Sequence, residues 1–248
     1  MKKVYLYKGF ERFWHWAQAL LILFLMITGY EIHGSYHLFG YEFSVRWHDI
    51  AAWAFLVLIV FSMFWHITTG EWKQYVPTRK NLRAQIEYYL TGIFRNAPHP
   101  TGKRVLSKLN PLQRLTYTGL KMFIIPLMVF SGLLYMFFNY PDKGVELSSL
   151  ETVALLHTFG AYALIAFIIV HLYLITTGRT IFSNLMAMIT GWEELEEEEV
   201  KEVVKDVLYG AEQIIKSTNH RNGKKDNAEV QEMISEVLSE NGHKGLTK

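Results

Sequence analysis

Long charge-free apolar runs alternate along this chain with segments that gather nearly all of its ionic residues. Residues 13–30, 50–70, 122–141 and 152–178 contain no Asp, Glu, Lys or Arg. A helix of ~20 residues crosses a hydrocarbon layer of roughly 30 Å, so each run is long enough to span one. The pattern predicts four transmembrane helices over about 13–32, 47–69, 115–138 and 153–177. Between the second and third, Leu82, Ile86, Tyr89, Leu90 and Ile93 recur at three- and four-residue steps beside Arg83 and Arg95. That spacing fits a helix lying in the headgroup layer, or an ordinary surface helix. After the fourth run the material changes. The acidic stretch 193–199 leads into Val200, Val203, Val204 and Val207 at helical spacing, then a polar hinge at 219–227 and a short helix near 230–238. The expected fold class is an all-α membrane protein: a four-helix transmembrane bundle with an interfacial helix and a soluble cytoplasmic C-terminal helical tail. Residues 1–192 form the membrane domain. Residues 193–248 form the acidic tail, either a solvated charged face or a docking surface.

Composition narrows the chemistry. Half of the 248 residues are apolar, 19% are charged and none is cysteine. The missing thiols exclude iron–sulfur clusters, disulfides, thiolate-bound zinc and covalently attached c-type haem. A redox metal here must be held by His, Met or carboxylate. The N-terminal run does not read as a cleavable signal peptide, because Glu11 and Arg12 interrupt its start and no small-residue cleavage site follows. The first span is therefore expected to stay as an anchor.

The net charge of +2 hides a division. The tail carries 14 acidic and 8 basic residues, and the rest of the chain is strongly basic. The N-terminal arm holds Lys2, Lys3, Lys8 and Arg12. The middle connection holds Lys73, Arg79, Lys80, Arg83, Arg95, Lys103, Arg104, Lys108 and Arg114. The other two connections hold only Arg46 and Lys143. Positive charge marks the cytoplasmic side, which puts both termini and the middle connection there. No nucleic-acid partner is expected.

Ionisable side chains inside spans are costly and mark function. His15 opens the first span in RFWHW, His48 opens the second in VRWHD, His66 closes the second, and His157 and His171 both lie in the fourth. At 1.5 Å per residue, the 14-residue step from His157 to His171 covers ~21 Å and returns to within roughly 40° of the same face. One helix thus offers an imidazole near each membrane surface. Depth pairs His157 with His48 at the outer level and His171 with His15 at the inner level. Two levels, each with two imidazoles on different helices, suit two bis-histidine haem b groups, and helix bundles build cofactor sites from facing side chains in this way. His66 also lies at the inner level. It is either an alternative inner ligand in place of His15 or an interfacial anchor beside Trp65 and Trp72. Gly29, Gly132 and Gly160 either admit a flat macrocycle or let helices pack closely. Arg12 and Arg46 either neutralise haem propionates or are ordinary charges at helix ends.

These residues resemble a known family, the di-haem b-type cytochrome subunits of membrane-bound nickel–iron hydrogenases, formate dehydrogenases and thiosulfate reductases. The resemblance runs from about residue 10 to 192 and rests on RFWHW, ITGY, VRWH, NPLQRLTYTGL and the HTFG…HLY pair. It implies His15 and His171 as ligands of the inner haem and His48 and His157 as ligands of the outer one. It also implies a bacterial or archaeal cytoplasmic membrane, and electron transfer between a periplasmic redox subunit and menaquinone or ubiquinone. That subunit would be an iron–sulfur protein or multihaem cytochrome, with a catalytic subunit of hydrogenase, formate dehydrogenase or thiosulfate reductase type. The family's quinone pocket uses an Asn and a Gln just before the third span, matched here by Asn110 and Gln113. Asn110–Pro111 also reads as a helix cap. The rival classes are a transporter whose histidines relay protons or a metal ion, and a passive membrane anchor for a peripheral enzyme.

Overall fold

The computed structural model describes residues 2–95, 97, 100, 108–138, 147–195, 200, 204 and 208. It contains the four expected helices long and apolar enough to cross a membrane: Gly9–Ile32, Tyr41–Thr69, Pro111–Phe137 and Leu150–Ile175. The first two are α1 (Gly9–Ile32) and α2 (Tyr41–Thr69). The third is built from α4 (Pro111–Gly119), a π-turn (Leu120–Ile124) and α5 (Ile125–Phe138), and the fourth is α6 (Leu147–Ile175). Between α2 and α4 lies the short α3 (Leu82–Glu87), continued by a π-turn at Tyr88–Gly92 and a 3₁₀ turn at Ile93–Arg95. The fold thus has the expected helical membrane architecture.

The π-turn in the third span has a local cause. Pro126 has no N–H to give to the carbonyl of Met122, and its ring would crowd that oxygen; a widened turn relieves both.

The chain divides into two units. The larger apolar one, residues 9–73 and 116–175, holds the spans. Here α1 packs along α2 and α5 along α6. Its centre is Ile22, Phe55, Leu120 and Leu164, one buried residue from each span, flanked by Leu25, Ile59, Ile124 and Phe167. The outer surface is equally apolar, with Val57, Phe123 and Leu155 fully turned outward. A helix apolar all round belongs in lipid.

The other unit, residues 1–8, 74–115 and 176–248, brings together the arm before the first span, the middle connection and the segment after the fourth. It contains a two-stranded ribbon that the hydrophobic pattern did not predict. β1 (Lys2–Tyr5) pairs antiparallel with β2 (Trp192–Leu195), with Lys3 opposite Glu194 and Tyr5 opposite Trp192. The start of the acidic tail is therefore a strand rather than a helix. Val4, Leu6 and Leu195 form its buried core. The chain reaches β2 from α7 (Ser183–Thr190) through Gly191 at φ 87. A Cβ there would lie 2.8 Å from the carbonyl oxygen of Tyr7, so the turn needs glycine for space as well as for conformation. On the middle connection, Ile86, Leu90 and Phe94 are exposed, the apolar side expected of a helix in the headgroup layer. The tail hinge and second tail helix lie outside the described residues.

Candidate functional site

Each histidine expected in a span sits on a helix whose sequence leaves the ring facing other spans. The His15 ring on α1 and the His171 ring on α6 have centroids 6.3 Å apart. The His48 ring on α2 and the His157 ring on α6 stand 6.4 Å apart. α6 thus contributes one ring to each pair. Among the described residues no group of three or more His, Asp or Glu converges as a metal cage, so the histidines meet only two by two.

The surroundings of each ring are specific. His48 Nδ1 lies 3.0 Å from Thr28 Oγ1, and His157 Nδ1 lies 2.9 Å from Ser131 Oγ. His171 Nδ1 is 3.3 Å from the Tyr117 hydroxyl, and Phe167 stacks on the His171 ring at an interplanar angle of 8°. The Nδ1 of His15 is buried with no hydrogen-bond partner among the described residues. Two of the three glycines face rings: a Cβ on Gly29 would stand 3.1 Å from His48 Cε1, and one on Gly132 3.2 Å from His157 Cε1. Gly160 is different. Its missing Cβ gives room to Met128, whose sulfur would be 2.5 Å away.

His66 is buried and donates from Nδ1 to the carbonyl of Ser62 at 2.7 Å. Its ring meets Trp14 and Trp65 edge-on, at 5.2 and 5.1 Å. Lys121, on the π-turn of the third span, lies with its ammonium 4.8 Å from the Trp14 ring centroid. Arg12 is half-buried one turn before His15, whereas Arg46 is exposed. Asn110 and Gln113 form a reciprocal cap on α4. The Gln113 N–H donates to Asn110 Oδ1 at 2.8 Å and the Asn110 N–H to Gln113 Oε1 at 3.0 Å, with Asn110 Nδ2 also donating to Tyr89. The sequence pattern marks a cap at Asn110 but not the return bond to Gln113. Thr28, Ser131 and Tyr117 are ring contacts that histidine spacing does not reveal. The available signal was a hydroxyl immediately before glycine in two different spans.

A membrane bundle carrying paired histidines between spans suits a b-type cytochrome, and comparison places the chain in such a family. The profile of the prokaryotic cytochrome b561 family matches residues 6–191, and the chain belongs to that family. It is 32% identical to the cytochrome YdhU of Escherichia coli over 200 residues, covering 77% of this chain and 75% of that protein. It is 25% identical over 205 residues to the protein-methionine-sulfoxide reductase subunit YedZ1 of Azospira oryzae, covering 77% of this chain and 98% of that one. No solved structure matches the chain. The family implies haem b, and the ring spacings fit it. With metal–nitrogen bonds of about 2.0 Å and ring centres about 1.1 Å from each ring atom, two imidazoles sharing one metal would have centroids about 6.2 Å apart. Two imidazoles hydrogen-bonded directly at about 2.9 Å would bring them to about 5.1 Å. Both observed separations match the first geometry.

Proposed function

We propose that this chain is the membrane-integral di-haem cytochrome b subunit of an oxidoreductase complex. It would carry electrons between a periplasmic redox partner and the membrane quinone pool. The observation that supports this reading best is the pair of imidazole separations, 6.3 and 6.4 Å, each suited to one iron. His48 and His157 would hold the outer haem b, and His15 and His171 the inner one. Haem b supplies one-electron chemistry when bound; the chain supplies axial nitrogens, an apolar enclosure and spacing. His66 serves as a packed interfacial residue, since its Nδ1 and its ring are engaged by Ser62, Trp14 and Trp65. Arg12 is the better of the two candidate propionate partners, being half-buried next to the inner pair.

The resemblance supports Asn110 and Gln113 as contacts for menaquinone or ubiquinone on the cytoplasmic side. Reduction there takes two electrons and two cytoplasmic protons. Electrons entering from the opposite face would then move charge across the membrane, worth ~2.3 kcal/mol per charge per 100 mV. The subunit would work beside a catalytic partner, as the name of the YedZ1 relative suggests for that protein. A metal-transporting site is disfavoured because the histidines meet only in twos among the described residues.

The full-length protein, purified in detergent, is expected to show a reduced haem b spectrum with two haems per chain. His157→Ala should remove one haem and leave the other's spectrum. A colourless preparation, or a His157→Ala protein that keeps both haems, overturns the assignment. For the quinone site, Gln113→Glu preserves the acceptor that caps α4 but removes the amide donor. Quinone turnover should fall at least tenfold in both Gln113→Glu and Gln113→Leu if the amide touches quinone. If Gln113 is only a cap, Gln113→Glu should turn over normally, and a neutral result of that kind rejects the contact.

A further inference from the structure

Thr28 and Ser131 stand in the same relation to two different histidines. Thr28 is fully buried and its hydroxyl lies 2.9 Å from the Phe24 carbonyl oxygen, four residues back on its own helix. Ser131 is 4% exposed and its hydroxyl lies 2.5 Å from the Leu127 carbonyl, again four back. A hydroxyl has one proton. Each spends it on the helix carbonyl, so what it presents to its histidine is a lone pair. Thr28 Oγ1 therefore accepts from His48 Nδ1–H at 3.0 Å, and Ser131 Oγ accepts from His157 Nδ1–H at 2.9 Å. With the proton fixed on Nδ1, the opposite nitrogen of each ring is bare and free to bind metal. The residue after each hydroxyl is the glycine that leaves room for the same ring, Gly29 for His48 and Gly132 for His157.

The other pair lacks this arrangement. His171 Nδ1 has one longer contact, 3.3 Å to the Tyr117 hydroxyl, and His15 Nδ1 has no partner among the described residues. The two levels therefore differ in how strongly the protein pulls on the far side of the ligand rings.

We propose that Thr28 and Ser131 are positioning residues that fix the ligand tautomer of His48 and His157 and hold their iron at a lower potential than the iron of His15 and His171. This rests on the ligand assignment above. An Nδ1–H shared with an acceptor makes the imidazole a stronger donor, and a stronger donor favours the ferric state. Two such bonds act on one site, against a single longer one on the other. With both haems bound and no membrane potential, one electron would rest preferentially at the His15/His171 end, with no proton moved and no bond changed.

The test is a potentiometric titration of the full-length protein, followed by its visible spectrum. His48→Ala and His157→Ala first identify which of the two couples belongs to that pair; if both haems survive those changes, it is the ligand assignment that has failed. Given the assignment, the wild-type couple of His48/His157 should be the lower one. Thr28→Val and Ser131→Ala should each raise it by about tenfold in the ferric–ferrous equilibrium, which is ~59 mV for one electron, and leave the other couple in place. Thr28→Ser, which keeps the hydroxyl, should restore the wild-type value. If Thr28→Val fails to load haem, Ser131→Ala carries the same test on the opposite ring. Two loaded haems with unmoved potentials, or a wild-type order in the opposite sense, overturn the proposal.

Discussion

At the scale of single residues, the same amino acid does different work according to what fills the space beside it. Gly29 and Gly132 face the rings of His48 and His157, whereas Gly160 faces the flexible end of Met128. A methyl at Gly29 or Gly132 must displace a ring held by the hydrogen bond its Nδ1–H gives to Thr28 or Ser131. A methyl at Gly160 needs only a thioether to change rotamer, which methionine does cheaply. Gly29→Ala and Gly132→Ala should therefore each cost about 1–3 kcal/mol in overpacking and lower the haem retained after purification. Gly160→Ala should keep the wild-type haem content, measured as the haem-to-protein ratio. In the sequence the three glycines were equivalent, because spacing shows that a side chain is missing but not what lies opposite. The histidines were legible for the opposite reason. An imidazole has no place in lipid without a task, and a 14-residue step on one helix fixes two depths at once. Thr28 and Ser131 were not legible, since a hydroxyl in an apolar helix satisfies itself on the backbone and signals nothing by type alone.

At the scale of elements, the connection between α1 and α2 is held by one buried carboxylate. Glu31, the penultimate residue of α1, is 3% exposed, and its Oε1 accepts the backbone N–H groups of Leu38, Phe39 and Gly40 at 2.7–2.8 Å. These amides lead directly into α2, which begins at Tyr41, and a negative charge sits favourably near a helix N-terminus. Glu31→Ala strands all three donors and should destabilise the protein by roughly 2–3 kcal/mol. Glu31→Gln keeps one acceptor without the charge and should cost less. Thermal unfolding of both variants in detergent, followed by helical circular dichroism and haem bleaching together, checks the order. Equal stability of the Ala variant and the wild type would dismiss the staple. The spans themselves were readable from charge-free length alone. The staple was not, because a glutamate at a helix end has many uses and its partners are backbone groups that sequence does not name. The π-turn was half-visible: Pro126 predicts a disturbance, but not whether the helix breaks or widens.

For the whole molecule, sequence read the membrane part and misread its edge. KKVY sits in a basic arm and WEEL at the head of an acidic run, so each alone reads as charge rather than as a strand. Only the pairing supplies the reason, with Lys3 set against Glu194 and Val4, Leu6 and Leu195 closing over one another. That ribbon has a topological consequence. It joins the segment before the first span to the segment after the fourth, so both lie on one side of the membrane, which four crossings allow. We propose, from the loop charges, that this side is the cytoplasm. The missing cysteine makes this directly measurable, since a single introduced thiol is the only reactive one in the chain. Ser35→Cys, exposed in the connection after α1, should react with a membrane-impermeant maleimide in intact spheroplasts. Lys8→Cys and Lys80→Cys, also exposed, should react only after the membrane is opened. The reverse pattern would place the His48/His157 pair on the cytoplasmic side. Electrons from a periplasmic partner would then enter at the end whose ligands carry the weaker hydrogen bonds. Labelling of Lys8→Cys and Lys80→Cys on opposite sides would go further and break the four-span topology itself.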